Sequence, residues 1–155
     1  MRILVLAETL DIAGSSAGKA NYAFIKSLLT AGFEITVYHY TYKEIHLAGV
    51  KPILIQERKT DLNYWLSRGQ RVLQRITQRN FSKSLENRFG FSFTFFNDVN
   101  SMVAALKPLH IKDYDLVLTL SKGASYRTHA ALLKLPEWQA KWLAYIHDPY
   151  PFHWY

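Results

Sequence analysis

The first forty residues constrain the fold more than any other part of the chain. Residues 2–7 (Arg-Ile-Leu-Val-Leu-Ala) alternate little and are rich in Ile, Leu and Val, the pattern of a strand covered on both faces. A Gly/Ser loop runs from Asp11 to Gly18. A helical stretch over about 19–30 follows, with Tyr22, Ile25, Leu28 and Leu29 recurring at helical spacing. Gly32 stands where a helix C-cap glycine belongs. Glu34 to Tyr40 is then β-branched and aromatic, as a strand requires. Strand, glycine loop, helix and strand in that order make a βαβ unit, which implies a parallel sheet.

The remaining 115 of the 155 residues continue the alternation. Pro52 to Gln56 is a candidate short strand. Between Asp61 and about Arg79, apolar residues at 62, 65, 66, 72, 73 and 76 form a helical stripe beside Arg68, Arg71, Arg75 and Arg79. Phe89 to Phe96 is aromatic-dense and leaves strand and packed loop both open. Asn97-Asp98 reads as the cap of a helix over 99–106. Asp113 to Leu120 reads as a buried strand, and Ser121-Lys-Gly-Ala124 turns into a helix that Pro136 ends. Trp142 to Ile146 is the last expected strand. The aromatic string Phe152-His-Trp-Tyr155, one step beyond it, reads as a fragment boundary.

At 49% hydrophobic the chain has enough for one domain with a sizeable core. It holds no cysteine, which excludes disulfides and thiolate metal sites and fits a reducing cytoplasm. No stretch approaches the roughly 20 apolar residues of a membrane span, and the short N-terminal apolar run lacks a cleavage signal. The net charge of +7 is concentrated. Between Arg58 and Arg88 eight basic residues stand against two acidic ones, a balance of +6. For the helix in that segment two readings stay open. Its apolar face is core and its arginines are solvated, or it docks on anionic lipid or a lipid-diphosphate acceptor, with Tyr64 and Trp65 at the interface. Nucleic acid is not an expected partner, because the aromatics at 89–96 lack interleaved cations beyond Arg88.

In open parallel sheets ligands lie beyond the carboxyl ends of strands. Three loops leave such ends: Gly14–Lys19, Ser121–Ser125 and His147–Pro151. In the first, Gly14, Ser15, Ser16 and Gly18 precede a helix and offer N–H groups to an anion, with Lys19 beside them. The loop satisfies loose P-loop spacing, but Ala20 stands where a magnesium-binding hydroxyl is needed, and no G-x-G-x-x-G is present. Ser121, Lys122 and Gly123 form the second loop. In the third, His147 follows a strand directly, with Asp148 placed to orient it. The other histidines show no metal-ligand spacing, so neither a metal nor a cofactor is expected.

The order of these segments resembles the N-terminal half of a family 4 glycosyltransferase of the GT-B fold. The residues that carry the resemblance are the Met1-to-Leu6 strand, the Gly/Ser loop, Leu28 to Val37, Tyr114 to Leu118, and Ala144-Tyr-Ile-His-Asp148. It covers the two ends of the chain well and the middle, about 45–95, weakly. The resemblance implies a Rossmann-like α/β domain, a mostly parallel sheet with helices on both faces, forming the acceptor side of a cleft. It implies sugar transfer from a nucleotide-sugar donor to a polysaccharide or lipid-linked glycan, in the cytoplasm or at the inner membrane face. By the same likeness Gly14 to Gly18 line the cleft, although Ser15-Ser16 replace the usual glycine pair. His147 matches the histidine that contacts the transferred sugar, and Ser121-Lys122-Gly123 face the acceptor. The family's second-domain glutamate pair is missing, since no two glutamates here stand eight positions apart. A donor-binding domain is therefore expected outside this chain, and the chain alone is expected to be inactive. The rival reading is a non-enzymatic Rossmann-like ligand-binding module.

Overall fold

In the computed structural model, β1 (Arg2–Ala7) is the middle strand of a five-stranded sheet, with every pairing parallel. The structure describes residues 1–147 apart from Tyr42, Ala124 and the side chains of Lys83 and Asn87. On one side of β1 lie β2 (Glu34–His39) and β3 (Ile53–Leu54). On the other lie β4 (Leu116–Leu120) and β5 (Trp142–Tyr145), so the order is β3-β2-β1-β4-β5. The alternation of β1 side chains explains the two cores. Leu4 and Leu6 face one cluster with Phe95, Val99, Met102 and Trp138, whereas Ile3, Val5 and Ala7 face another with Ile25, Ile35 and Val37. Apolar residues are needed on both faces because helices cover both. The chain is thus a Rossmann-like α/β fold.

Helix α1 (Ser16–Thr30) covers the second face. Ser15 caps it by accepting from the Gly18 N–H at 3.0 Å. Its other end is a Schellman turn: Gly32, at φ +83, donates to Leu29 O and Phe33 donates to Leu28 O. Helices α2 (Leu62–Thr77), α3 (Phe81–Phe89), α4 (Phe93–Leu106) and α5 (Arg127–Leu133) follow, with 3₁₀ turns at Ile111–Asp113 and Pro136–Lys141.

Three local expectations are corrected. The aromatic stretch is mostly helical, with loop only at 90–92: Phe89 ends α3, and Ser92 caps α4 by accepting from the Phe95 N–H at 3.1 Å. Phe95, Val99, Met102 and Leu106 then recur at helical spacing into the core, which places Asn97 and Asp98 inside the helix rather than at its cap.

The third correction concerns α2. Its apolar stripe is not core. Leu62, Trp65 and Ile76 are 71%, 67% and 73% exposed, while Tyr64, Ser67 and Gln70 are buried. Glu57 explains the orientation, accepting from Arg68 at 3.3 Å, from Arg71 at 3.2 Å and from the Asn97 amide at 2.8 Å. Gln70 donates to Ser82 Oγ at 2.7 Å. The polar side of the helix therefore carries the inward contacts. Arg79 lies past the helix end, after Gln78 in the left-handed region at φ 54, so the four arginines do not form one helical stripe.

Candidate functional site

The strand order reverses direction between β1 and β4, and a crevice of about 480 Å³ opens beyond the carboxyl ends of the neighbouring strands. Glu8 and Thr9 enter it from β1, Tyr40 and Thr41 from β2, and Lys122 from β4. Asp11, Gly14 and Ser15 close one side, with Lys43 2.8 Å from Asp11 Oδ2. Asp98 of α4 and Arg127 of α5 close the other. Three carboxylates and three cations line this space, so its formal charge balances and hydroxyls fill the gaps between charges. Such a lining suits a neutral polyhydroxylated ligand better than a strongly anionic one.

Arg127 organises the inner wall. Its Nη2 lies 2.5 Å from Glu86 Oε1, its Nε 3.1 Å from Asp98 Oδ2 and its Nη1 3.8 Å from Glu8 Oε1, while its guanidinium covers the Phe95 ring. Burial pushes the Glu8 carboxyl up, and the guanidinium pulls it back. Asp98 is pushed up to about 6, again by burial and against Arg127. A carboxyl held there changes between hydrogen-bond donor and acceptor near neutrality.

A second feature joins the loops behind the crevice. Asn21 of α1 is fully buried, and its amide donates to Thr9 O at 3.1 Å and to Ser121 O at 3.0 Å. Both amide protons are thereby used, and the remaining Oδ1 accepts from His147 Nε2 at 2.8 Å. Neutral His147 consequently carries its proton on Nε2 and leaves Nδ1 as an acceptor. The His147 backbone N–H reaches Ser121 Oγ at 3.5 Å, and the Tyr145 ring meets the imidazole edge-on at 4.9 Å.

Gly14, Ser15 and Lys122 thus line the crevice. Ser121 and His147 sit behind it, joined to its wall through Asn21. Gly18 has a packing role: an added Cβ would stand 2.1 Å from Asp11 O, and its N–H is used by Ser15. Ser16 and Lys19 are exposed outside the lining, and Gly123 turns the second loop at φ +51. Asp148 lies outside the described residues. The Gly/Ser loop holds fewer open N–H groups than its composition implies, since Gly14 donates to Asp11 O and Ala13 to Asp11 Oδ1.

No family model matches the chain. No curated protein and no solved structure matches it either.

Sequence reasoning missed Glu8, Asn21, Asp98 and Arg127. Glu8 carries the signal already used for the three loops, a polar residue just after a buried strand. Asp98 was hidden by the false cap, and Arg127 by the distances of 29 and 119 positions that separate it from Asp98 and Glu8. Among the described residues no His, Asp and Glu cluster has a metal-binding arrangement.

Proposed function

We propose that this chain is the acceptor-side domain of a glycosyltransferase, moving a sugar from a nucleotide-sugar donor to a polysaccharide or lipid-linked glycan. One observation carries the reading. A charge-balanced, hydroxyl-lined crevice opens at the switch point of a parallel sheet, and a buried asparagine hydrogen-bonded to its Thr9 also holds His147. The histidine stands at the place where the resemblance puts the residue that contacts the transferred sugar. In this reading Glu8, Asp98, Thr41 and Lys122 hold acceptor hydroxyls, and the departing diphosphate is met mainly by the donor-binding domain, through helix dipoles and cations. His147 Nδ1 accepts a hydrogen bond from a sugar hydroxyl, orienting it for transfer.

The test uses the polypeptide encoded by the complete reading frame, incubated with nucleotide sugars and assayed for release of nucleoside diphosphate. His147→Ala is expected to lower turnover by about 100-fold or more while lowering the melting temperature by only about 1–6 °C. Glycan binding without turnover favours the non-enzymatic ligand-binding module. Neither binding nor turnover with any nucleotide sugar sinks the glycosyltransferase reading.

A further inference from the structure

The outward face of α2 is independent of the crevice and of the chemistry proposed for it. Helices normally bury their apolar stripe. Here the inward residues are Tyr64, Ser67 and Gln70, and the exposed ones are Leu62, Trp65, Leu66, Val72, Leu73 and Ile76. At about 100° per residue these six span roughly a third of the helix circumference, opposite the buried face, over a length of about 21 Å. Gly69 lies within the stripe and nothing stands within 4 Å of where its Cβ would be.

The charge around this stripe is mostly cationic. Helix α2 contains no acidic residue and carries Arg68, Arg71 and Arg75, with Arg79 just beyond its end. Arg68 and Arg71 are engaged by Glu57, and Asp61 caps the start of the helix. Arg75 and Arg79 are exposed and make no ion pair among the described residues. We infer that α2 is a membrane-docking element that lies flat on an anionic lipid surface, its apolar stripe among the acyl chains and Arg75 and Arg79 at the phosphates. A planar apolar stripe with an amphipathic indole and a cationic rim is the combination that interfacial helices use. A second copy fits less well, because Glu57 and Asp61 are already engaged within the chain by Arg68, Arg71, Asn97, Asn63 and Asn100, while Arg75 and Arg79 of two apposed copies would add only like charge. No helix among the described residues is long and apolar enough to cross a membrane, so the contact is peripheral.

The experiment is flotation of the full chain with vesicles of phosphatidylcholine alone or with about one-third phosphatidylglycerol. Two double variants accompany it, Leu73→Glu/Ile76→Glu and Arg75→Gln/Arg79→Gln. All four side chains are exposed, and unchanged melting curves verify the fold. Expected are binding to the anionic vesicles only, its loss in the first variant, and a fall on the order of 25-fold in the second. Absence of binding to anionic vesicles overturns the inference, and so does binding that neither variant moves. A dimer abolished by Leu73→Glu/Ile76→Glu, without vesicle binding, also overturns it and assigns the face to a second copy.

Discussion

Nε of Arg127 stands 3.1 Å from Oδ2 of Asp98, pinning the start of α5 to the second turn of α4 at the inner wall of the crevice. The same guanidinium reaches Glu8 and Glu86, so one cation answers three carboxylates. Asp98 and Glu8 are both buried, and without that cation each would have either to stay charged in poor solvent or to take up a proton.

Arg127→Met is therefore expected to destabilise the fold by about 3–5 kcal/mol near neutral pH. The loss should shrink at about pH 5, where the abandoned carboxyls take up protons instead of remaining charged. Thermal unfolding at the two pH values measures this. Equal losses at both would mean that packing on Phe95, not charge, is what Arg127 contributes.

A second prediction separates Asn21 from His147. Asn21→Ala strands the buried carbonyls of Thr9 and Ser121 and should cost about 2–4 kcal/mol. His147 is only half-buried, so His147→Ala should cost about 0.5–1.5 kcal/mol. Denaturant unfolding of the two single variants and the double variant gives their coupling, expected at about 1 kcal/mol. Strict additivity would remove the Asn21 contact as the element that sets the imidazole tautomer.

The parallel sheet was legible because its signals are local. Buried strands such as β1 and β4 need continuous apolar runs, and Gly32 marks a helix end by backbone conformation alone. The site was legible only where it lies next to such a signal. Gly14, Ser15 and Lys122 follow strand ends, as does Glu8, which was overlooked. Asp98 and Arg127 meet only after α4 and α5 have packed, and no spacing announces that. For α2 the apolar periodicity was visible and its direction was not. Glu57, Asn97 and Ser82, all outside the helix, decide which face turns inward.

The two glycines of the first loop should respond differently to a methyl group. At Gly18 the added Cβ would lie 2.1 Å from the backbone oxygen of Asp11, so the loop itself must move, at about 3 kcal/mol or more. At Gly14 the nearest atom is Asp11 Oδ2 at 2.6 Å, the end of a side chain that can swing aside at the expense of its pairing with Lys43. Gly14→Ala should therefore cost less than about 1 kcal/mol. Comparable destabilisation of the two variants in urea would show that the turn, rather than the close approach of α1, is what both glycines serve.

The last prediction concerns pH, because Asp98 and His129 pull stability in opposite directions. Burial holds Asp98 at about 6, above its unfolded value near 3.9. The native state then binds that proton more tightly, so this contribution is complete at low pH and is lost as pH rises through about 6. His129 is the reverse. It packs beside Trp142 with Nδ1 2.7 Å from Thr119 Oγ1, and burial lowers it to about 4 from near 6.5. Its contribution is complete above the unfolded value and is lost as pH falls through about 4. Each is worth roughly 2–3 kcal/mol, and over about pH 4–6 the two slopes oppose each other. Glu8 is raised and His39 lowered, both by burial, so they add one contribution of each sign. Relative to the native chain, Asp98→Asn should gain stability as pH rises through this window, and His129→Gln should lose it. Chemical denaturation across the window gives both difference curves. Curves parallel to the native one would mean that neither group changes its proton affinity on folding, and the electrostatic picture of the crevice wall would fall with them.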